Sequence, residues 1–581
     1  MYDADSASAQ APMNGNASGI AGITRRKASD LTARGEPMVW AMGGSLAFGL
    51  MMILGFLALI FWNGLTAFWP RPVDVVTLSG GRVIAGEPMR SEAYKPAAEV
   101  LAALPENLRA EIENNAGLAD RTLYRIGNYD FYANDFEWVP GFEVGSVSRP
   151  RDMMLVERQE WGAFIGTIKS LTVDGQTVPD PGMAALDAAH ARARALRAER
   201  MSIEKHKVGE VNREINGLRL SIRRAEMDYG ADSSQAKAAA VRAASETARL
   251  NGEFERLAAQ VSAIRQKEGA FVVTVEEIGG QTRDFPLTNF VRYYRANDLT
   301  LAQKAGIYLS RWWEFLSAEP REANTEGGVW PAIFGTFVMT VVMSLIVAPF
   351  GVVGALYLRE YARQGRIVSL ARICVNNLAG VPSIVYGVFG LGFFAYVLGG
   401  SLDHLFFPER LPNPTFGTGG LLWASLTLAL LTVPVVIVST EEALAAVPRS
   451  MREGSLACGA SKWQTIKWIV LPRAMPGIMT GLILAMARGA GEVAPLMIVG
   501  VVKLAPELPV DGIFPFIHLE RSFMHLGFHI YDVGFQSRNS EAGRSMVFVT
   551  ALVLLALVLA LNAISINVRN RLKRKFAGEK F

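Results

Sequence analysis

Arg488 and Glu492 are the only two charges in the apolar and small-residue run 477–500, and they stand four apart. In a helix that spacing puts both on one face. An arginine at mid-membrane costs about 2.5–3.5 kcal/mol on the insertion scale, and a glutamate is unfavourable there too. Such residues persist where they line a wet path or pair with each other. Two chemistries are open. A guanidinium donates a planar fork to two oxygens of an oxyanion, with Glu492 holding Arg488 and balancing its charge when no anion is present. Alternatively, the pair pins helix packing and touches no solute. Gly489, Gly491 and Pro495 suit a helix that shifts, and equally suit tight packing.

A second constellation precedes that run: Glu453-Gly454-Ser455, then Gly459, then Ile469-Val470-Leu471-Pro472. Here Glu453 is expected to start a short helix, and Gly459 permits a sharp turn. Trp463, Ile466 and Ile469 recur at helical spacing and offer a docking ridge, and Leu471-Pro472 is expected to end the second helix. A membrane-hugging amphipathic segment is the alternative. Three of the six histidines, His518, His525 and His529, cluster after this run. His525 and His529 at i and i+4 suit zinc if helical, with Asp532 close. No cysteine or well-spaced carboxylate completes a site, so a polar cap is expected and no metal. The chain has no G-x-x-x-x-G-K-[ST] sequence, hence no P-loop of its own, and no nucleophile–base pair. Gly43-Gly44 reads as helix packing. An enzyme is not expected.

The elements that must position these residues are membrane spans. The chain has 581 residues, 50% hydrophobic and 19% charged. A bilayer crossing needs about 20 apolar residues, and six runs qualify: 39–62, 332–358, 373–398, 420–438, 477–500 and 546–566. The first starts late and lacks a small-residue cleavage site, so it reads as a span and not a signal peptide. Basic residues stay cytoplasmic. Arg25, Arg26, Lys27 and Arg34 precede the first span, and Arg359, Arg363, Arg366 and Arg372 lie between the second and third. Arg449, Arg452, Lys462, Lys467 and Arg473 follow the fourth, and Arg569, Arg571, Lys573, Arg574 and Lys575 follow the sixth. These clusters alternate correctly for six spans with both ends, 1–38 and 569–581, in the cytoplasm. The net charge of +4 is accounted for by these clusters flanking the membrane lipid, and no nucleic acid is expected.

The same topology puts 69–329 outside. Neither Cys374 nor Cys458 falls there, so no disulfide holds that region. Aromatic and β-branched residues over 121–177, with Asp174-Gly175 as a hairpin turn, predict strands. Strands resume at Phe271-Val272-Val273-Thr274-Val275, before a turn at Gly279-Gly280. Between them, Val208, Val211, Ile215, Leu218, Ile222 and Ala225 step by three and four. Ala243, Thr247, Leu250, Phe254, Leu257, Val261 and Ile264 do the same. Tyr229-Gly230-Ala231-Asp232-Ser233-Ser234 supplies a turn and an N-cap. The expectation is an antiparallel coiled-coil hairpin over about 184–267, with arms reaching on the order of 60 Å. It stands on a β-rich base, either as structure alone or as a docking arm.

From 327 onward the chain resembles a known family. The motifs are Gly328-Val329-Trp330-Pro331-Ala332-Ile333, Asn377-Leu378-Ala379-Gly380-Val381-Pro382-Ser383-Ile384-Val385-Tyr386-Gly387, and Ala487-Arg488-Gly489-Ala490-Gly491-Glu492-Val493-Ala494-Pro495-Leu496. With the "EAA"-like loop at 441–475, they are similar to the A-type permease subunits (PstA) of phosphate-specific ABC transporters. The loop reads Glu-Gly-Ser where Glu-Ala-Ala is usual, and Val493 stands where threonine is frequent. The resemblance covers about 250 residues and leaves out the large external insertion. It implies an α-helical membrane protein of six transmembrane helices, the type I ABC importer permease fold, with a periplasmic β-rich domain added. The permease core would be 330–568, in a bacterial inner (plasma) membrane. It implies inorganic phosphate as cargo meeting Arg488 and Glu492. It implies an ABC ATPase dimer docking Glu453, Gly459, Trp463, Ile469, Leu471 and Pro472, and ATP and Mg bound only by those partners. A second, PstC-like phosphate permease subunit and a periplasmic phosphate-binding protein complete the set. Another oxyanion, molybdate or sulfate, and a membrane-anchored adaptor or sensor are the alternative readings.

Overall fold

The computed structural model describes residues 37–537 and 540–577. The basic cluster at Arg25, Arg26, Lys27 and Arg34 lies outside the described residues. Six described helices are long and apolar enough to cross a membrane: Val39–Thr66, Trp330–Tyr361, Ser383–Phe406, Leu421–Ala445, Lys462–Gly491 and Gly543–Arg574. We call them the first to sixth spans. The apolar window of the first, taken by itself, buries nothing, as a helix solvated by hydrocarbon does. The fourth packs against the second, third and fifth, with two thirds of its apolar window inside the protein. Leu421, Ala424, Leu428 and Leu431 from it meet Met339, Met343 and Val347 from the second span and Ala485 from the fifth.

Two spans differ from the sequence expectation. The third was expected over 373–398 but begins at Ser383, after a separate helix, Arg366–Leu378. Gly380 and Pro382 stand in the gap, and proline pushes the residue before it out of helical conformation. The Asn377 to Gly387 motif therefore wraps a break. The fifth was expected over 477–500 but ends at Gly491. Glu492 is extended (φ −80°, ψ 130°), and a short helix, Ala494–Val499, follows.

Between the first and second spans lie two antiparallel sheets. One has the order β4-β3-β2-β1-β5, with β1 Asp74–Leu78, β2 Val83–Tyr94, β3 Ala119–Arg125, β4 Phe136–Pro140 and β5 Val144–Ser148. The other has the order β10-β9-β7-β6-β11, with β6 Met154–Arg158, β7 Phe164–Val173, β9 Phe271–Glu276, β10 Thr282–Pro286 and β11 Phe290–Arg295. A short β8, Gln176–Pro179, pairs with β7 across Asp174-Gly175. Both turn residues have positive φ, 52° and 81°, which matches the twist of a two-residue hairpin.

A half-buried ion network ties these strands to the segment that leads into the second span. Glu157 on β6 pairs with Arg292 on β11 and with Arg311, whose Nε lies 2.8 Å away. Glu314 joins Arg292 at 2.9 Å and Arg321 at 2.8 Å, and Arg125 on β3 holds Glu326 at 2.8 Å, just before Trp330. Burial works to raise the Glu157 carboxyl, but Arg311 and Arg292 outweigh it and hold it below the usual range.

From β8 the chain leaves as a helical arm, Met183–Ser202, which continues through a wider π-helical turn, Ile203–Val208, into Gly209–Tyr229. Gly230 turns at φ +85°, the side chain of Ser233 accepts from the Ala236 N–H at 3.1 Å, and the second arm runs Ser234–Glu268. Ile203, Val211, Leu250, Leu257, Val261 and Ile264 form the seam. Phe254, expected in that seam, is exposed. The seam passes to Leu250 and Leu257 around it, because a 3.6-residue helix drifts from a strict heptad. The first arm is tied to other loops of the chain: Arg224 to Glu409 at 3.5 Å and Arg213 to Glu507 at 3.7 Å.

Candidate functional site

The fifth span is one helix from Lys462 to Gly491, and it joins the two constellations. Trp463 stands near its start and Arg488 in its last turn. At 1.5 Å per residue the two are about 38 Å apart on one element. Leu471-Pro472 was expected to end a helix here and does not. A π-helical turn at Ile466–Val470 precedes Pro472, and the widened turn accommodates the missing N–H.

At the Arg488 end the helix stops, and the break sets the charges. Arg488 Nε and Glu492 Oε1 are 3.5 Å apart, with the Arg488 side chain 36% exposed and that of Glu492 23%. They meet across a helix end, and not along one continuous helical face as the spacing implied. The environment is asymmetric. A Cβ on Gly489 would collide with the Met343 sulfur of the second span, whereas one on Gly491 would meet nothing within 4 Å. Close packing thus accounts for Gly489 and leaves Gly491 facing open space. Past the break, Gly387 of the third span admits Pro495, whose Cα would lie 2.7 Å from a Cβ there. Tyr386, buried beside it, donates its hydroxyl to the Leu378 carbonyl at 2.5 Å and lies within electrostatic reach of Arg488. A half-open guanidinium, a carboxylate that does not fully enclose it and a rigidly held tyrosine make a site able to exchange an ion-pair partner for an anion.

At the other end, Arg449–Ala457 and the start of the fifth span form a short hairpin. Gly459 turns it at φ +85°, and Ser461 caps the second helix in a capping box with Gln464. The first helix begins at Arg449, so Glu453 sits within it, exposed, and does not start it. Ile466, expected on the ridge, is buried. Trp463 is 57% exposed, Trp468 is 69% exposed and Ile469 is half-buried. Ser455 Oγ and Thr465 Oγ1 bridge the two helices at 2.9 Å.

Sequence reasoning missed Trp468 and Arg452. Arg452 donates to the carbonyls of Leu444 at 2.7 Å, in the last turn of the fourth span, and Val447 at 2.6 Å, just past it, and pairs with Glu360 of the second span at 3.1 Å. It connects the hairpin to two spans at once. The sequence signal was only a basic residue beside Glu453.

His525 and His529 are buried. His525 accepts from the Gly527 N–H at 3.1 Å, and His529 meets Thr550 Oγ1 at 3.2 Å. Burial depresses them to about 3 and about 4 respectively. Asp532 is taken up by Lys503 at 3.0 Å and Asn324 at 3.1 Å. Among the described residues, no group of three or more His, Cys, Asp or Glu could hold a metal ion.

Residues 348–574 match the family described as "Binding-protein-dependent transport system inner membrane component". The probable ABC transporter permease protein YqgI of Bacillus subtilis is 30% identical over 234 residues, 39% of this chain and 74% of that protein. YqgH of the same organism is 36% identical over 203 residues, 34% of this chain and 62% of that protein. The phosphate transport system permease protein PstA 1 of Mycobacterium tuberculosis (strain H37Rv) is 37% identical over 189 residues, 32% of this chain and 56% of that protein. The chain thus spans less than two thirds of the length of YqgH and of PstA 1. Among solved structures, a chain of the MetNI methionine ABC transporter aligns at 20% identity and a TM-score of 0.29, covering 45% of this chain and 98% of that one.

Proposed function

The chain belongs to the binding-protein-dependent transport system inner membrane components, the ABC transporter permeases; from that membership we propose that it carries inorganic phosphate inward across a bacterial inner membrane. The single observation that carries this reading is Arg488, half-exposed at a helix break and held by one carboxylate. An unpaired guanidinium costs several kcal/mol in hydrocarbon, so a site that leaves it partly open suits an anion that passes. Relatives named as phosphate transport permeases support phosphate as that anion.

In this reading both ends face the cytoplasm. The strands and helical arms of 69–329 form a periplasmic domain with a coiled-coil hairpin, and 330–568 is the permease core. An ABC ATPase dimer docks the hairpin around Gly459, Trp463, Ile469, Leu471 and Pro472, beside the exposed Glu453. ATP and Mg belong to that dimer. A second permease subunit completes the pore, and a periplasmic phosphate-binding protein delivers the cargo. The fifth span acts as the lever, since closure of the ATPases on the hairpin moves the same helix that ends at Arg488.

Radiolabelled phosphate uptake in cells carrying Arg488→Ala or Gly459→Leu tests it. Both variants are expected to lose uptake. Undiminished uptake in both contradicts the reading, and loss of sulfate or molybdate uptake alone moves the cargo to another oxyanion.

A further inference from the structure

The helix Leu301–Ser317, between β11 and the second span, is turned the wrong way round for water. Its three charges are Lys304, Arg311 and Glu314. Arg311 and Glu314 reach inward to Glu157, Arg292 and Arg321, with side chains only 14% and 18% exposed. The opposite face is apolar and open. Ala302, Gly306, Leu309, Trp313 and Leu316 step by four and three along one stripe, and all are exposed, Leu309 to 65% and Trp313 to 74%. Gln303, Ser310 and Ser317 run along one border of it. A surface helix in water shows the reverse, with its apolar stripe inward and its charges outward.

The fold fixes the level at which this helix stands. Phe315, on its inner side, is buried among Ala332 of the second span and Val549 and Val553 of the sixth. Those residues fall inside the apolar runs 332–358 and 546–566, so the C-terminal half of the helix lies beside membrane-spanning chain. The backbone holds it there. The Val329 N–H donates to the Phe315 carbonyl at 2.8 Å, and the Trp330 N–H to the Ala318 carbonyl at 3.2 Å. Trp330 is itself exposed, as is Trp69, whose ring centroid lies 5.6 Å from that of Tyr308 on the helix. Tryptophan gathers where membrane meets water.

With 17 residues and three charges, the helix is too short and too polar to cross a bilayer. We infer that Leu301–Ser317 lies in the lipid interface, its stripe sunk into the headgroup–acyl boundary at the Trp330 end of the second span. The occupant of the stripe is phospholipid. Its five side chains carry one polar group, the Trp313 indole N–H, so nothing on it selects a protein by charge, and a bilayer needs no such match. The region 69–329 is therefore seated on the membrane by this helix, and Arg311 and Glu314 join the seat to β6 and β11. The inference uses the spans and not the cargo, so it stands apart from the phosphate reading.

Spin labelling tests it. In the full-length chain carrying Cys374→Ser and Cys458→Ser, nitroxides are attached at Leu309→Cys or Trp313→Cys. The protein is held in phospholipid nanodiscs, alone and co-expressed with its partner subunits. Reference labels go at Leu345→Cys, exposed on the second span, and Val241→Cys, exposed on the second helical arm. Oxygen concentrates in lipid and a nickel chelate in water, so a folded chain reads lipid at the first reference and water at the second. The ratio of oxygen to nickel relaxation at both stripe positions should be severalfold above that at Val241→Cys, with and without the partners. A ratio equal to that at Val241→Cys overturns the inference. So does protection from both reagents once the partners are present, which would give the stripe to a second permease subunit.

Discussion

Two helical hairpins, at Gly230 and at Gly459, are turned by the same local chemistry and finish differently. Each has a glycine at φ +85° and, two or three residues on, a serine that caps the next helix. The long hairpin buries its apolar residues in its own seam, around Val211, Leu250 and Leu257. In the short one, the first helix buries no residue, and Trp463 and Trp468 stand open. Turn chemistry therefore decides that a hairpin forms, and the apolar pattern decides whether it is complete. The Gly230 hairpin supplies its own partner, while the Gly459 hairpin leaves Trp463 and Trp468 exposed.

That contrast can be broken at several depths. The largest effect is expected from the buried faces. Leu250→Ala should cost about 2–5 kcal/mol of stability, read as a lower Tm with ATPase binding unchanged. Trp463→Ala with Trp468→Ala should leave Tm in place and weaken binding of the ATPase subunits by about 2 kcal/mol or more, read by titration. Equal Tm losses in both would make the tryptophans ordinary packing. A middle effect comes from the turns: Gly230→Leu and Gly459→Leu each force a side chain into left-handed backbone, at about 1–2 kcal/mol. Phosphate uptake should fall in the second and hold in the first, and equal falls would erase the distinction. The smallest comes from the caps. Ser233→Ala and Ser461→Ala should each cost about 1 kcal/mol of stability by thermal melting. Caps that differ widely would mean the two turns are not locally equivalent.

Turn and cap signals were legible because they depend on a few adjacent residues. Asp174-Gly175 reads as a hairpin turn because both residues tolerate the positive φ they adopt, and the Tyr229 to Ser234 stretch reads as a turn and cap for the same reason. Six apolar runs read as spans because hydrocarbon imposes length. What failed depended on distant contacts. Hydropathy runs smoothly through Gly380 and Pro382 and through Gly491, so neither break registers in an apolar window. The second break is fixed by Pro495 against Gly387, more than a hundred residues away in sequence. Arg452 looked like one more flanking charge, because the carbonyls it binds belong to the end of another helix. Glu492 was read four residues along a helix from Arg488, and the pair forms, but across a helix end that opens one side of it.

The central claim is that Arg488 meets the transported anion. It is tested most directly by ATP-driven uptake of radiolabelled phosphate into proteoliposomes holding the assembled transporter, with Arg488→Ala and Arg488→Lys compared with the natural protein. A guanidinium giving two charge-assisted hydrogen bonds is worth about 3 kcal/mol or more to the anion, so Ala should lower uptake about a hundredfold. Lys should fall between the two, since it keeps the charge and loses the fork. Uptake in Arg488→Ala equal to that of the natural protein, with the complex intact, would contradict the account.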